Sequence, residues 1–223
     1  MTVQEMFGRI CPRYDLLNHV LSLGLDFYWR RRAVRELGVG AGDPVIDLCC
    51  GTGDLAAELW RCVRPGEVVG VDFSDRMIDR ARRKYPQLTY VQGDVLRVEL
   101  PPGRFAAATI AFGPRNIQDL EGLWREMARL VRPGGKILSL ELTRPPGWLG
   151  WLHGLYLRHV LPKVGSWLSG DQEAYAYLSR TVQGFVAPQE LAESMRRAGL
   201  EQIRIVPLTG GIVTLHLART PLA

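Results

Sequence analysis

Short apolar runs alternate with amphipathic stretches from Pro44 to about residue 145. The stretches between the runs carry apolar residues at three- and four-residue steps, which indicates helices, and they span 54–63, 75–85 and 120–131. The runs are typical of buried strands and span 44–50, 67–73, 88–94, 105–113 and 135–142. Strand–helix alternation of this kind predicts a parallel, doubly wound sheet with helices on both faces.

The two flanking regions follow other patterns. Residues 1–38 have helical periodicity and predict an N-terminal helical cap. Residues 146–187 form an aromatic, irregularly patterned segment that we expect to be a helical insert. After a helix over 188–199, two strands flank the Thr-Gly-Gly turn at 209–211, and so short a connection requires an antiparallel hairpin. We therefore expect one domain over 1–223, with seven strands that are mostly parallel and antiparallel at the C-terminal end.

Composition narrows the class of protein. The 223 residues are 47% hydrophobic and 23% charged, which excludes a disordered chain. A net charge of +5 allows nucleic acid, anionic lipid or an acidic ligand as partner. No 18-residue apolar stretch is present, and residues 1–15 lack an apolar core of signal-peptide length, so we expect neither a membrane span nor a signal peptide. The cysteines lack zinc spacing, so we predict no metal site and a reduced, cytoplasmic location; they are Cys11, Cys49, Cys50 and Cys62.

A glycine-rich loop joins the first strand to its helix. Gly51-Thr52-Gly53 follows Asp47 and fits the loose G-x-G-x-x-G/A pattern, in which glycines let the backbone approach a ligand. Asp47 and Asp54 would repel a pyrophosphate and attract a ligand that carries an ammonium and a sulfonium. Asp54 could instead cap the helix.

Acids also close the next two strands. Asp72 ends the second strand, 19 residues after Gly53, where a carboxylate can accept hydrogen bonds from both ribose hydroxyls. Asp94 ends the third strand, where it could accept from an adenine amino group while the Val95 amide faces a ring nitrogen. Asp72 as a helix cap and Asp94 as a turn residue are the alternatives. Together, acids at three strand ends predict a ligand site at this edge of the sheet.

These segments resemble the class I S-adenosylmethionine-dependent methyltransferases. The resemblance covers about residues 40–145 and 188–218, through VIDLCCGTGDLAAEL, VVGVDFS, VQGDV and LVRPGGKIL. Cys49 stands where that family usually has Gly, and Ala111 where some members use a serine, so a side-chain contact at 111 is lost. The cofactor contacts that the resemblance implies are Asp47, Gly51, Thr52, Gly53, Asp72, Phe73, Asp94, Val95 and Ala111.

A narrower resemblance covers nearly the whole chain. Segments 13–31, 47–54, 111–119, 155–185 and 208–216 look like the ubiquinone/menaquinone biosynthesis C-methyltransferases. This implies methylation of a ring carbon of a prenylated quinol, demethylmenaquinol to menaquinol or a benzoquinol counterpart, with release of S-adenosylhomocysteine. A methyltransferase for another small molecule and an NAD-dependent oxidoreductase remain alternatives. A nucleic-acid module built on the basic run 29–32 is disfavoured because the run is short.

Candidate catalytic residues follow from the needs of carbon methylation. A ring carbon becomes nucleophilic when a neighbouring hydroxyl is deprotonated, so the site needs a base or groups that stabilise a phenolate. Arg115, Asn116 and Tyr14 are the candidates for stabilising it, with a water or solvent base. Alternatively, Arg115 pairs with Asp119 and Asn116 caps the following helix.

The remaining candidates concern the acceptor and the surface. His19, Phe112 and Gly113 are candidate acceptor contacts. We expect His216 to be structural, and His153 and His159 to lie on a surface.

The Trp-rich segment 147–168 fits a membrane interface, to which basic residues such as Arg30–Arg32 would add attraction for anionic lipid. A lid on its own domain and a homodimer interface are equally open for that segment.

Overall fold

The computed structural model describes residues 14–169 and 172–222. Its centre is one seven-stranded sheet in the order β3-β2-β1-β4-β5-β7-β6. The strands are β1 (Val45–Leu48), β2 (Val68–Asp72), β3 (Thr89–Gln92), β4 (Phe105–Ala111), β5 (Val131–Leu142), β6 (Glu201–Leu208) and β7 (Val213–Arg219). β1 to β5 are parallel, and β7 runs antiparallel to both β5 and β6. The predicted fold class is confirmed.

Helices cover both faces of the sheet. They are α1 (Tyr14–Leu21), α2 (Leu25–Leu37), α3 (Asp54–Val63), α4 (Asp75–Lys84), α5 (Leu120–Leu130), α6 (Gly147–Leu155), α7 (Leu161–Ser169), α8 (Gln172–Gly184) and α9 (Pro188–Arg197). One apolar core lies beneath α2, α3 and α4, and the other beneath α5 and α9. β1 and β2 are buried along their whole length because helices cover both of their faces, which explains their unbroken apolar runs.

The cap divides into two helices within the described residues. Leu23 and Gly24 have positive φ values of 53° and 75°, and this left-handed turn separates α1 from α2. Residues 1–13 of the predicted cap, with Cys11, lie outside the described residues.

The insert is helical. A π-helical turn at Tyr156–Val160 joins α6 to α7, and α8 follows. An apolar cluster of Leu17, Leu157, Leu161 and Val182 packs the insert against α1. The cap and the insert therefore meet each other over the carboxyl ends of the strands, where the site residues lie.

Candidate active site

Two cavities lie side by side at this end of the sheet. The first, the acidic cavity, has a volume of about 580 Å³ and is lined by Tyr14, Cys49, Gly51, Asp72, Phe73, Met77, Asp94, Val95, Leu96, Ala111, Phe112, Gly113, Asn116, Ile117, Gln118 and Asp119. The second, the apolar cavity, has a volume of about 770 Å³ and lies between the cap, the insert and the ends of β4 and β5. Tyr14 and Phe112 line both cavities and so form a shared wall.

Most of the predicted cofactor contacts line the acidic cavity, and Asp72 is the most deeply buried acid among them. Its Oδ2 accepts a hydrogen bond from the Gly51 amide and its Oδ1 one from the Ser74 amide, both at 2.9 Å. Burial raises the pKa of Asp72, and these backbone donors partly oppose the shift. Ser74 caps α4, as its hydroxyl accepts from the Met77 amide, so Asp72 is not needed as a cap.

The other acid at a neighbouring strand end is more accessible. Asp94 is exposed, and its Oδ1 accepts from the Leu96 amide at 2.9 Å, which makes it a turn residue that also lines the cavity. Val95 beside it is buried. The structure thus brings Asp72, Asp94 and Val95 together at one edge, as the spacing predicted.

Three predicted cofactor contacts lie behind the cavity wall. Asp47 is buried and accepts a hydrogen bond from Thr109 Oγ1 at 2.7 Å, and burial raises its pKa to about 7. Thr52 donates to Asp15 Oδ1 at 2.5 Å. Gly53 packs so closely that an added Cβ would lie 2.6 Å from the Tyr90 hydroxyl oxygen. In this structure these residues shape the loop and do not line the cavity.

Asp54 does not play either of the parts expected of it. Its carboxylate binds Lys84 Nζ and accepts from the Tyr85 hydroxyl at 2.9 Å, and Arg30 lies 3.6 Å away. The N-cap of α3 is Gly53. The charge of Asp54 is therefore compensated within the protein, and the acidity of the cavity comes from Asp72, Asp94 and Asp119.

Two residues at strand ends adopt a left-handed backbone. Cys49 after β1 has a φ of 52°, and Phe112 after β4 has a φ of 56°. An added Cβ at Gly113 would lie 2.8 Å from Cys49 Cβ, so Gly113 makes room for the side chain that replaces the usual glycine. Burial raises the pKa of the Cys49 thiol well above its usual value, which keeps it protonated. Strained backbone of this kind concentrates at functional sites.

Arg115 and Asn116 each contact a partner that the sequence did not indicate. The guanidinium of Arg115 donates to Glu141 Oε1 at 2.5 Å, and both side chains are almost completely buried. Asn116 Oδ1 accepts from the Tyr177 hydroxyl of the insert at 2.9 Å. Asp119, which was an alternative partner for Arg115, caps α5 instead, so neither part of that alternative is correct.

Tyr14 lies over the glycine loop. A Cβ at Gly51 would be 4.0 Å from Tyr14 Cε1, and the Tyr14 side chain is hydrogen-bonded to that of Asn18. Burial is the main cause that raises the pKa of Tyr14. Its phenol therefore stays protonated and can serve as a hydrogen-bond donor.

The histidines are distributed differently from the prediction. His19 Nδ1 lies 2.7 Å from Asp26 Oδ2 and its ring stacks on Phe27, outside the wall of either cavity. His216 is buried, with Nε2 2.8 Å from the Pro188 carbonyl oxygen, in keeping with a structural part. His153 and His159 line the apolar cavity, and His153 is only 9% exposed, so its predicted surface position is wrong.

Residues that sequence reasoning missed complete the apolar cavity. Trp29 is buried in its wall, with Nε1 donating to Thr209 Oγ1 at 2.8 Å and the ring centroid 6.4 Å from that of Phe112. Glu141 holds Arg115 from the carboxyl end of β5. An acid near a strand end was the available signal for Glu141, as it was for Asp72.

Comparisons with known proteins identify one family over nearly the whole chain. The family model described as "ubiE/COQ5 methyltransferase family" matches residues 1–220. The chain is similar to the demethylmenaquinone methyltransferase of Deinococcus radiodurans, with 44% identity over 94% of this chain and 89% of that protein. It is also similar to the demethylmenaquinone methyltransferase of Thermus thermophilus, with 42% identity over 97% of this chain and all of that one.

A solved structure resembles the fold over almost its full length. It is a SAM-dependent methyltransferase of Thermotoga maritima, described as a possible histamine N-methyltransferase. The TM-score is 0.73 with 18% identity, and the match covers 98% of this chain and 99% of that one.

Proposed function

The chain belongs to the ubiE/COQ5 methyltransferase family, and from that premise we propose that it methylates the ring of demethylmenaquinol to give menaquinol. It is an S-adenosylmethionine-dependent C-methyltransferase of quinone biosynthesis. The observation that carries the choice of acceptor is the pair of cavities, one acidic and one apolar, that meet at Tyr14 and Phe112. A charged donor and an apolar acceptor can then occupy adjoining cavities and meet beside Tyr14 and Phe112, as methyl transfer requires.

The residues of the acidic cavity fit S-adenosylmethionine. Asp72 offers a buried carboxylate for the ribose hydroxyls, and Asp94 and the Val95 amide stand where an adenine edge can be bound. The carboxylates also favour a ligand with a net positive charge. When bound, S-adenosylmethionine supplies an electrophilic methyl group. Gly51, Phe73 and Ala111 would form the floor around it, while Asp47, Thr52 and Gly53 hold the loop in shape.

The apolar cavity supplies what a quinol ring needs. Arg115, Tyr14 and Tyr177 are polar groups in a wall that is otherwise mostly aliphatic and aromatic. Nε of Arg115 is buried and has no hydrogen-bond partner among the described residues. We assign Arg115 and Tyr14 to stabilising the negative charge of the quinolate, and Asn116, held by Tyr177, to orienting the ring. We assign Phe112 and Gly113 to the surface that the quinol ring would contact.

A lipid surface is the proposed source of the acceptor. Ten large hydrophobic side chains of the cap and insert are exposed, whereas the rest of the described chain exposes only Leu96 and Leu222; the ten are Leu16, Val20, Leu23, Leu25, Phe27, Tyr28, Trp148, Trp151, Leu152 and Val160. We call these ten residues the apolar rim. Leu23, Leu25, Leu152 and Val160 also line the apolar cavity, so the rim is continuous with its mouth.

We propose that the protein binds the membrane surface through this rim as a peripheral protein. Within 14–169 and 172–222, no helix is both long enough and apolar enough to cross a bilayer. The side chain of Trp167 lies outside the described residues. Trp148 and Trp151, which are 76% and 68% exposed, are the side chains best placed to enter the lipid interface.

The basic residues expected to assist are arranged otherwise. Arg30 is buried in an ion pair with Asp26, and Arg32 pairs with Glu36 at 2.6 Å. Arg31 is exposed and lies 3.8 Å from Glu58, so each of Arg30–Arg32 has an acidic partner and the three do not form a free basic patch. Arg144 and Lys163 are exposed and lie within four positions of Trp148 and Val160 in the sequence, and they are the cations we assign to anionic lipid.

The test is a methylation assay with the two reduced acceptors, demethylmenaquinol and the corresponding benzoquinol, with products identified by mass. We expect turnover of demethylmenaquinol. Turnover of the benzoquinol alone, or of neither acceptor, would refute the proposal.

Variants locate the chemistry. Truncating Arg115 alone would leave the buried Glu141 carboxylate without its ion-pair partner. Breaking a buried ion pair in this way typically destabilises a protein by about 3–5 kcal/mol. The paired variant Arg115→Gln/Glu141→Gln removes both charges, and we expect its kcat to fall about 100-fold or more while calorimetry shows unchanged cofactor affinity. Arg125→Gln, an exposed change on α5, is the matched control. An unaltered kcat in the paired variant would contradict the part assigned to Arg115.

A further inference from the structure

We propose that His153 is the general base that removes the acceptor's hydroxyl proton. This rests on the proposed function above and extends it, because it replaces the water or solvent base expected from the sequence with a side chain of the protein. His153 lies on α6 of the insert and its side chain lines the apolar cavity. It is buried, although it belongs to a helix that exposes Trp148 and Trp151.

Within the part of the chain that the structure describes, no residue occupies the ring nitrogens of His153. Burial is the only cause that lowers its pKa, and no hydrogen bond or charge from another described residue contributes. The imidazole is therefore neutral at neutral pH, which is the form that can accept a proton. A buried imidazole in a cavity wall that has no hydrogen-bond partner among residues 14–169 and 172–222 is suited to contact with a polar atom of a ligand.

The other titratable groups of this cavity are poor bases. They are Tyr14, Asp26, Arg30, Arg115, Tyr156, His159 and Tyr177, which lie on α1, α2, the turn after β4, the π-helical turn and α8. The pKa values of the three tyrosines are raised, chiefly by burial, so their phenols stay protonated. Arg115 is held by Glu141.

The two remaining candidates are Asp26 and His159. Hydrogen bonds from Ser22 and His19 and the charge of Arg30 outweigh the effect of burial on Asp26, so its pKa is lowered and the carboxylate is weakly basic. His159 is exposed, so water competes for hydrogen bonds to its ring. Among the described residues that line this cavity, His153 is therefore the neutral base that is shielded from solvent.

The proposed steps balance. The O–H bond of the quinol breaks, the proton passes to a ring nitrogen of His153, and the electron pair stays on oxygen and enriches the ring carbon. The carbon–methyl bond forms as the sulfur–methyl bond breaks, and that electron pair leaves on sulfur. The ring carbon then loses its hydrogen as a proton and the oxygen regains one, so a single proton is released per turnover.

The experiment compares His153→Gln with wild type in the quinol methylation assay across pH 5 to 9. Gln keeps a polar side chain of similar reach and cannot accept the proton. We expect kcat to fall about 100- to 10,000-fold, with KM for the quinol changed less than threefold. The wild-type profile of kcat/KM should fall below pH 6.5 as His153 becomes protonated, and this acidic limb should be absent in His153→Gln.

Controls separate a base from a packing residue. Arg158→Gln changes an exposed charge of the same insert and should retain wild-type kinetics and the same acidic limb. In His153→Ala, added imidazole should restore part of kcat without changing cofactor affinity. A kcat within threefold of wild type, or an acidic limb that persists in His153→Gln, would overturn the assignment of His153 while leaving the proposed function intact. Absence of quinol turnover by wild type would overturn both.

Discussion

Asp47 is buried beneath the glycine loop, and its protonation is linked to folding. Burial raises its pKa from 3.8 to about 7, so the folded protein retains a proton that the unfolded chain loses above about pH 4. Stability from this group is complete below that pH and is lost as pH rises toward 7. The Thr109 hydroxyl donates a hydrogen bond to the Asp47 carboxylate. The side-chain oxygen of an Asn at position 47 could accept the same hydrogen bond.

We therefore expect Asp47→Asn to gain stability relative to wild type as pH rises from 4.5 to 8. A shift of this size corresponds to at most about 4 kcal/mol in the difference of unfolding free energies. Urea denaturation at both pH values measures it, with the exposed Asp79→Asn as control. A difference between wild type and Asp47→Asn that does not change with pH would contradict the prediction.

Cys49 and Gly113 should be energetically coupled. An added Cβ at Gly113 would lie 2.8 Å from Cys49 Cβ and 3.0 Å from its Sγ, so Gly113→Ala overpacks the strand ends and should cost about 1–3 kcal/mol. In a Cys49→Gly background the same change should cost at least about 1 kcal/mol less. A double-mutant cycle from denaturation curves measures this coupling. Gly40→Ala, with nothing within 4 Å of the added Cβ, is the control; strict additivity would show that the two sites do not interact.

At the scale of elements, α1 is fastened to the glycine loop and to α4 through one carboxylate. Asp15 accepts from Thr52 at 2.5 Å, from Lys84 at 3.0 Å and from Arg80 at 3.2 Å. Burial alone would raise the pKa of Asp15, but these donors and charges outweigh it and lower the pKa. The contribution to stability is thus present above about pH 4 and is lost as pH falls through the lowered pKa.

Asp15→Asn should release α1 from the loop. Charge-assisted hydrogen bonds are worth about 1.5–3 kcal/mol, so we expect amides 16–21 to exchange hydrogen about tenfold or more faster, and KM for the quinol to rise. Hydrogen-exchange mass spectrometry and steady-state kinetics measure the two effects, against Asp79→Asn. Unchanged exchange in this segment would show that apolar packing alone holds α1.

The elements most readily predicted were those buried on both faces. α3 runs over 54–63 as its periodicity predicted, and β1 and β2 correspond to unbroken apolar runs that only a covered parallel sheet explains. Asp72 and Asp94 were predictable because each follows or ends its own strand, whereas Asp119 enters the cavity from the N-cap of α5 and was not predicted there. Asp47 lies near the end of β1 and Asp54 follows the glycine loop, yet neither lines the cavity, and Thr109 and Lys84 engage their carboxylates.

Residues placed by tertiary packing could not be found in this way. His153 stands in a Trp-rich stretch without clear periodicity, and nothing local in that stretch marks it as the buried member. The pairing of Arg115 with Glu141 joins residues 26 positions apart, whereas the sequence offered Asp119 four positions away. Sequence distance favoured the local partner, and the parallel pairing of β4 and β5 brings in the distant one.

At the scale of the whole molecule, the apolar rim gathers exposed hydrophobic side chains around one opening. Replacing both Trp148 and Trp151 by Ala should weaken binding to lipid vesicles about tenfold or more, since each large apolar side chain contributes roughly 1.5–3 kcal/mol when buried. Co-sedimentation with vesicles that contain anionic lipid measures the binding, and a water-soluble quinol analogue measures the intact site. Leu222→Ala, an 82% exposed apolar residue away from the rim, is the control. Equal sedimentation of the double variant and wild type would remove these tryptophans from any membrane contact.

The position of α1 has a kinetic consequence. Tyr14 closes one side of both cavities, and Asp15, the next residue, anchors the same helix to the loop that carries Gly51. If α1 moves to admit a ligand to one cavity, Tyr14 also leaves its place in the lining of the other cavity. We therefore expect binding of the methyl donor and binding of the quinol to affect each other, and product-inhibition kinetics would measure the effect; fully independent binding of the two substrates would contradict it.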